Sequence, residues 1–309
     1  MDQTPTQPSR LWTILRWTPL VLMLLSFVSL LGMFFAGGIA RISAWYLLQL
    51  VLPVLGLISL ITIAVYALIR KRRSKTLLAT GLAALLSLSP LVLWFMPVAY
   101  PASLGSTSPS ATIRLPADVP LQVIWGGDSI AKNQHAAVPD QRWAYDLLVA
   151  PYFSGSPNLE DYGCYGVPVV APISGYVVSA HDSEPDATPG VLSNNTIAPT
   201  GNHVMIRMEE TGTYLVIAHL KNGSVTVKTG ETVTEGQVIG QCGNSGNTSE
   251  PHIHIHHQRQ DPTVYPINFA EGLPLYFRDH DGPPMPEGGY RVEGDQAIAT
   301  GDLVQHLGK

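Results

Sequence analysis

The sequence predicts a chain in two parts: three transmembrane α-helices over residues 1–100, followed by a mainly β domain built on an antiparallel sheet. Three observations carry this. The first hundred of the 309 residues contain three long stretches without a charged side chain. Charge divides at the same place, with 8 Lys and Arg against one acidic residue in 1–100 and 10 against 22 thereafter. Beyond Tyr100 the apolar residues fall into short runs broken by Gly, Pro, Asn and Asp, the signature of strands and turns, and no period of 3.6 is evident. The overall net charge of −5 therefore describes neither part. A single soluble globule is excluded. The acidic C-terminal part also argues against nucleic acid as a partner, because phosphate binding needs clustered Lys and Arg.

The uncharged stretches are 17–40, 42–69 and 76–100. Each exceeds the roughly 20 apolar residues that a helix needs to cross a bilayer core. Arg10 and Arg16 before the first stretch, and Gly38-Ile39-Ala40 after it, leave a cleaved signal peptide as the alternative, but the apolar run is long for one. Basic loops stay in the cytoplasm, and Arg70, Lys71, Arg72, Arg73 and Lys75 lie between the second and third helices. The N-terminus is then inside and everything after Tyr100 outside. This predicts a multi-pass protein of the bacterial cytoplasmic (inner) membrane with its β domain on the extracytoplasmic, periplasmic side. No ionisable residue falls within a span, so the helices read as an anchor and not as a transport path.

Residues 101–118 have linker composition, with Pro101, Pro109 and Pro116 among Ser, Thr and Ala. The domain is expected over 119–309, including a C-terminal tail rich in Pro and Gly. Strands are predicted at 121–125, 167–171, 175–179, 203–208, 214–220, 224–227, 237–240 and 253–257, with a last one near 272–277. Residues 166–177 and 230–239 echo each other as strand, Gly turn and returning strand. Cys164 and Cys242 each sit beside one arm of this echo; a disulfide and two buried thiols are both open.

The sharpest chemical feature is Pro251-His252-Ile253-His254-Ile255-His256-His257. Alternation with Ile makes it a strand, so His252, His254 and His256 share one face at roughly 6.6 Å intervals. Neighbouring imidazoles suit a metal, and Zn²⁺ takes His nitrogen readily. A solvated polar face is the plain alternative, and the spacing does not say which of the three binds. A catalytic zinc needs three protein ligands and an open position, so further ligands must come from upstream, where His135, Asp146, His181, His203 and His219 are candidates.

An ordered series of motifs carries a resemblance. It comprises Tyr214-Leu215-Val216-Ile217-Ala218-His219-Leu220, Gly236-Gln237-Val238-Ile239-Gly240, Gly243-Asn244-Ser245-Gly246-Asn247 and Pro251-His252-Ile253-His254. Over about residues 120–275 the chain resembles the lysostaphin/LytM-type zinc endopeptidases that cut peptide bonds of bacterial cell-wall peptidoglycan. The resemblance implies a barrel-sandwich-like, LytM-type fold and a Zn²⁺ cofactor. It makes His254 a zinc ligand and Asp146, in Trp143-Ala144-Tyr145-Asp146-Leu147, the carboxylate ligand. His252 and His219 would flank the attacking water as general base and oxyanion stabiliser.

One departure matters. The family's first motif is His-x-x-x-Asp, yet Arg142 stands four residues before Asp146 and cannot ligate a cation. The nearest histidine is His135, eleven residues upstream, and a longer loop is expected to carry it back to the metal. His256 and His257 are expected at the surface, and His181, His203, His280 and His306 as structural or exposed. The function so implied is a membrane-anchored zinc metalloendopeptidase. Its partners are peptidoglycan peptides or another exported peptide, membrane lipid through the helices, and a possible regulatory protein. Two other classes compete. A catalytically inactive relative that binds cell wall or regulates a partner hydrolase is favoured only by the missing histidine at 142. A carrier or transport adaptor shares the Gly230-to-Ile239 turn pattern, but a carrier needs a Lys where Thr234-Glu235 stands and an adaptor needs no histidine cluster.

Overall fold

The computed structural model describes residues 10–70, 74–266 and 268–308. The chain forms two compact units, Met1–Pro97 and Val98–Lys309. In the first, α1 (Arg10–Ala36) and α2 (Gly38–Arg70) are separated by Gly37 alone, whose φ of 75° breaks the helix at no steric cost. α3 (Lys75–Leu86) opens at Ser74, whose hydroxyl accepts from the Leu77 amide, and gives way to a 3₁₀ turn at Ser89–Trp94 that carries Pro90 in its first turn. Three spans, Trp17–Ala36, Gly38–Ile69 and Lys75–Trp94, are long and apolar enough to cross a membrane.

Two details depart from expectation. Arg41 lies inside α2 and within the span Gly38–Ile69, where no ionisable residue was expected, and its Nε donates to the Phe34 carbonyl at 3.0 Å. The third stretch is helical to Trp94 only, not to Tyr100. Lys71, Arg72 and Arg73 of the expected basic loop lie outside the described residues. Leu25, Phe35, Leu68 and Phe95 are each more than half exposed. Such surface is unfavourable in water at about 25 cal/mol per Å² and is accommodated by lipid.

The second unit is mostly antiparallel β-sheet. Its strands are β1 (Ala111–Arg114), β2 (Leu121–Trp125), β3 (Tyr145–Leu148), β4 (Pro168–Val170), β5 (Gly175–His181), β6 (Asn202–Met208), β7 (Tyr214–Leu220), β8 (Thr232–Val233), β9 (Val238–Gln241), β10 (Ile253–Gln258), β11 (Leu275–Arg278), β12 (Tyr290–Glu293), β13 (Gln296–Ala299) and β14 (Leu303–Val304). The main sheet has the order β14-β2-β3-β10-β7-β6-β5-β8. The pairs β4-β9, β1-β11 and β12-β13 stand apart, and among the described residues only β1-β11 is parallel.

β10 lies at the centre and all six of its residues are buried. Ile253 and Ile255 point into the apolar core, opposite Leu147 and Tyr145 on β3. Residues directly opposite in an antiparallel pair share a face. The other face therefore belongs to His254, which stands opposite Asp146 on β3 and Ala218 on β7.

The two arms of the internal echo pair with each other, β4 with β9 and β5 with β8. This pairing brings Cys164 and Cys242 together as a disulfide with Cα atoms 5.7 Å apart. Residues 101–118 differ from a linker: Ile113, Leu115 and Ala117 are fully buried, and β1 pairs with β11. The Pro residues there punctuate a packed segment. No strand forms at 224–227, although Thr226 N donates to the Ile239 carbonyl. The tail supplies the β12-β13 hairpin and the edge strand β14, which has two residues and no readable alternation.

Candidate metal centre

The site is assembled on three adjacent strands at the middle of the main sheet. Asp146 on β3 faces His254 on β10, and its Oδ1 lies 2.8 Å from His254 Nδ1. Its Oδ2 lies 2.9 Å from His135 Nε2. His252, just before β10, brings Nε2 to 3.6 Å from Asp146 Oδ1. His219 needs a special device. It follows Ala218, which is paired with His254, so strict alternation would turn His219 to the opposite face. Instead His219 has a left-handed φ of 61°, and the register of β6 against β7 shifts at this point. The bulge re-aims its ring to 4.8 Å from His252 and 5.6 Å from His254, between centroids. Holding a non-glycine residue there costs of order 1–3 kcal/mol. Gly243 makes room beside it: its amide donates to the His219 carbonyl, and a Cβ would lie 2.3 Å from the Lys221 backbone.

His135 reaches Asp146 from the loop between β2 and β3. Asn133, fully buried, pins that loop. Its side chain accepts from the His135 amide and donates to the Gly127 and Ala144 carbonyls. Arg142 is turned to other business. Its guanidinium donates to the Tyr100 and Asp128 carbonyls, pairs with the Asp128 carboxylate and lies 4.7 Å over the Trp143 ring. Arg142 is thereby buried.

Two overlapping groups bring potential ligand atoms within 4.8 Å of one another: His135, Asp146 and His254, and His219, His252 and His254. The donor chemistry distinguishes them. Burial opposes charge on Asp146, yet His135 and His252 hold its carboxyl well below the usual range, so it supplies a negative charge. Burial and then the neighbouring His252 and His254 push His219 well below its ordinary value. His254 is likewise lowered by burial, with Asp146 opposing. His135 is raised, because the charge and hydrogen bond of Asp146 together outweigh its burial. One carboxylate and imidazole nitrogens in a dry setting are the donors that Zn²⁺ prefers. The group containing Asp146 brings a negative charge and fits a divalent cation better than the three imidazoles alone.

The backbone fixes the other two histidines. His219 Nδ1 lies 2.8 Å from the Ser245 carbonyl, and His252 Nδ1 2.8 Å from the Glu250 carbonyl. A carbonyl only accepts, so both rings carry hydrogen on Nδ1 and turn Nε2 away from the backbone; in His219, kept neutral by burial, Nε2 is a lone pair. The sequence gives no sign of these carbonyl partners. Thr248 completes the rim, its hydroxyl 3.3 Å from His252 Nδ1.

His256 and His257 are buried, not at the surface as expected, because β10 is covered on both faces. His256 lies between His254 and Gln258. His257, on the core side, donates from Nδ1 to the Pro274 carbonyl and accepts from the Thr213 hydroxyl at Nε2. Burial pushes His257 down to about 4. Unfolded, it would titrate near 6.5, so on acidification the unfolded chain takes the proton first. This contribution is complete above pH 6.5, is lost as pH falls towards about 4, and declines no further below that. Its size is about 3 kcal/mol at most. His257→Gln is expected to flatten the fall in Tm between pH 7 and pH 4.5. An unchanged fall would mean that His257 is not held neutral.

Beside the metal-facing groups lies a cleft of about 340 Å³ lined by His203, Thr200, Tyr265, His256 and Gln258, among others. His181 and His203, expected to be structural or exposed, stack along it with centroids 5.7 Å apart.

Residues 160–266 match the sequence model of peptidase family M23. The match takes in His219, His252 and His254 and begins after His135 and Asp146. Among solved structures, the chain is similar to the antimicrobial peptidase lysostaphin from Staphylococcus simulans, with 18% identity over 49% of this chain and 47% of that one and a TM-score of 0.31. The catalytic domain of lysostaphin alone gives 21% identity, coverage of 48% and 84%, and a TM-score of 0.29. A zinc containing peptidase from Vibrio cholerae gives 20% identity, coverage of 47% and 36%, and a TM-score of 0.30. The chain spans less than half the length of whole lysostaphin and of the Vibrio protein, and at these TM-scores the likenesses add nothing to the site geometry. The family match and the ordered motifs agree on the same strands, and it is over residues 160–266 that the chain is similar to peptidase family M23.

Proposed function

We propose that the chain is a membrane-anchored zinc endopeptidase that hydrolyses peptide bonds of cell-wall peptidoglycan, with residues 1–100 as anchor and the β domain on the extracytoplasmic side of a bacterial inner membrane. One observation carries the reading. His135, Asp146 and His254 offer ligand atoms within 4.8 Å of one another, and His219 and His252, each held at Nδ1 by a backbone carbonyl, group with His254 beside them. When bound, Zn²⁺ would be held by these three residues, polarising the scissile carbonyl and making hydroxide available near neutral pH.

The chain's own residues do the rest. His252 accepts the proton of the attacking water at Nε2 and returns it to the departing amine, and the Glu250 carbonyl, holding Nδ1–H, supports the imidazolium in between. His219, kept neutral by burial with its hydrogen on Nδ1, faces the same point and accepts a hydrogen bond at Nε2, which orients the attacking water. The adjoining cleft, open along the sheet, suits an extended peptide. The wall substrate rests on the ordered motifs, which resemble those of endopeptidases acting on cell-wall peptidoglycan, and on the family match over the same segment.

The test uses the full chain in detergent, stripped of metal and offered cross-linked muropeptides, with new amino termini read by mass spectrometry. Cleavage is expected with one equivalent of zinc and not without it. No cleavage by a folded, zinc-loaded chain would sink the proposal and favour a wall-binding, non-hydrolytic role.

A further inference from the structure

We propose that Asp140 is a specificity-determining residue: the cleft beside the metal centre takes a peptide side chain that ends in a primary ammonium group, and Asp140 Oδ1 accepts its hydrogen bond. The proposal rests on the zinc reading above, which brings the substrate to this face of the sheet. It follows from where the cleft stands and from one carboxylate oxygen in its wall.

The strand register places the cleft. His256 stands two positions beyond His254 on β10, about 6.6 Å along the strand and on the same face. It is opposite Val216 on β7, and Val216 is opposite Met205 on β6. These three residues line the cleft. The cleft therefore crosses the strands on the face that carries His254, one step along from the ligand set. A peptide whose scissile bond lies at His254 passes beside it, so the residue that the cleft selects is close to that bond.

Asp140 lines the same cleft from the loop between β2 and β3. It is 1% exposed, as Val216 is, and its Oδ1 has no hydrogen-bond partner among the described residues. The carboxylate accepts from the backbone at Asp140 and Asn268 and from the Gln141 side chain, so those bonds fall to Oδ2. No Lys or Arg stands in the described lining of the cleft. His135, whose charge acts on Asp140, is taken up by Asp146 at 2.9 Å. A buried carboxylate oxygen without a donor is unfavourable, and a ligand that brings a donor removes the penalty.

The number of free oxygens selects the donor. A guanidinium binds a carboxylate best through both oxygens at once, and Asp140 offers one. A divalent cation needs further ligand atoms, and among the described residues the groups able to hold one do not include Asp140. An ammonium group is a compact charge with three donors. One serves Oδ1, and the hydroxyls of Thr200 and Tyr265 line the same cleft. Val216 and Met205 suit the aliphatic stem that carries such a group.

The experiment uses the metal-free full chain in detergent, so that binding is read without cleavage. The probes are muropeptides with their primary amines free, and the same muropeptides after acetylation of those amines, titrated by calorimetry. The parent is expected to bind the free amines about 10–100-fold more tightly. Asp140→Asn keeps the shape of the side chain and should bring the two forms to within about twofold. Should that variant fail to fold, the parent labelled with ¹³C at its aspartate carboxyls carries the test. The Asp140 signal should shift with the free amine and not with the acetylated probe. Equal affinity of the parent for the two forms, failure to bind either included, would overturn the proposal, as would a preference that survives in Asp140→Asn. A zinc-loaded chain that cleaves both forms equally well would overturn this proposal alone. A chain that shows the preference, loses it in Asp140→Asn and cleaves neither form would support Asp140 and overturn the endopeptidase reading.

Discussion

His219→Ala is expected to lower peptide hydrolysis by about 10²–10⁴-fold while the protein still takes up one zinc per chain, whereas His254→Ala loses zinc and activity together. The difference follows from where each side chain is anchored. His254 faces Asp146 directly through Nδ1 and belongs to the ligand set, so its removal leaves a buried carboxylate that has lost one of its imidazole partners. His219 approaches from the neighbouring strand, fixed by the Ser245 carbonyl. Its main-chain bonds, from its amide to the Thr200 carbonyl and from Gly243 to its own carbonyl, survive truncation. The backbone at 219 is left-handed, so His219→Asn serves as a control, because Asn tolerates that conformation. Asn should match Ala in activity and exceed it in Tm. Zinc per chain, measured by mass spectrometry on the folded variants, decides the case. Equal zinc loss in the His219 and His254 variants would mean that the ligand set is His219, His252 and His254, the other group the geometry permits.

The strand carrying three alternate histidines was legible because period-two alternation of His and Ile is a strong local signal. So was β7, whose run 214–220 matches the observed strand residue for residue. What the pattern could not convey is the bulge at His219. Alternation would have placed that ring on the wrong face, and only the ordered resemblance tied it to the site. His256 and His257 went astray for a related reason. A polar residue in a strand reads as exposed, and burial of both faces of β10 depends on β3, β7 and the covering loops, which are distant in sequence. β14 was invisible, since two residues carry no periodicity. Residues 101–118 looked like a linker because Pro and Ser dominate their composition, while the large side chains Ile113 and Leu115, buried with Ala117, are few and scattered. The carbonyls that orient His219 and His252 belong to the backbone and leave no trace in side-chain identity.

The second large effect is expected from His135→Ala, which should reduce zinc uptake by more than the 10–100-fold typical of losing an outer partner, because a ligand itself is removed. This prediction falls where the chain departs from the usual spacing and where the family match does not reach. His135 is brought to Asp146 by a loop with its own supports: Asn133 inside it, bonded to Gly127, Ala144 and the His135 amide. A loop that is merely passing would not need a fully buried amide at its centre. Truncation at 135 leaves those bonds in place and removes only the ring 2.9 Å from Asp146 Oδ2. Restoring the common motif by adding Arg142→His to His135→Ala is expected not to recover zinc. The side chain at 142 is directed towards Tyr100 and Asp128, and its loss would break that buried pair as well. Recovery of zinc by the double variant would show that position 142 reaches the metal after all, and would assign His135 to the loop and not to the ligand set. Zinc lost at His135→Ala and not regained at Arg142→His would establish that the eleven-residue spacing, closed by Asn133, does for this chain what a four-residue spacing does elsewhere.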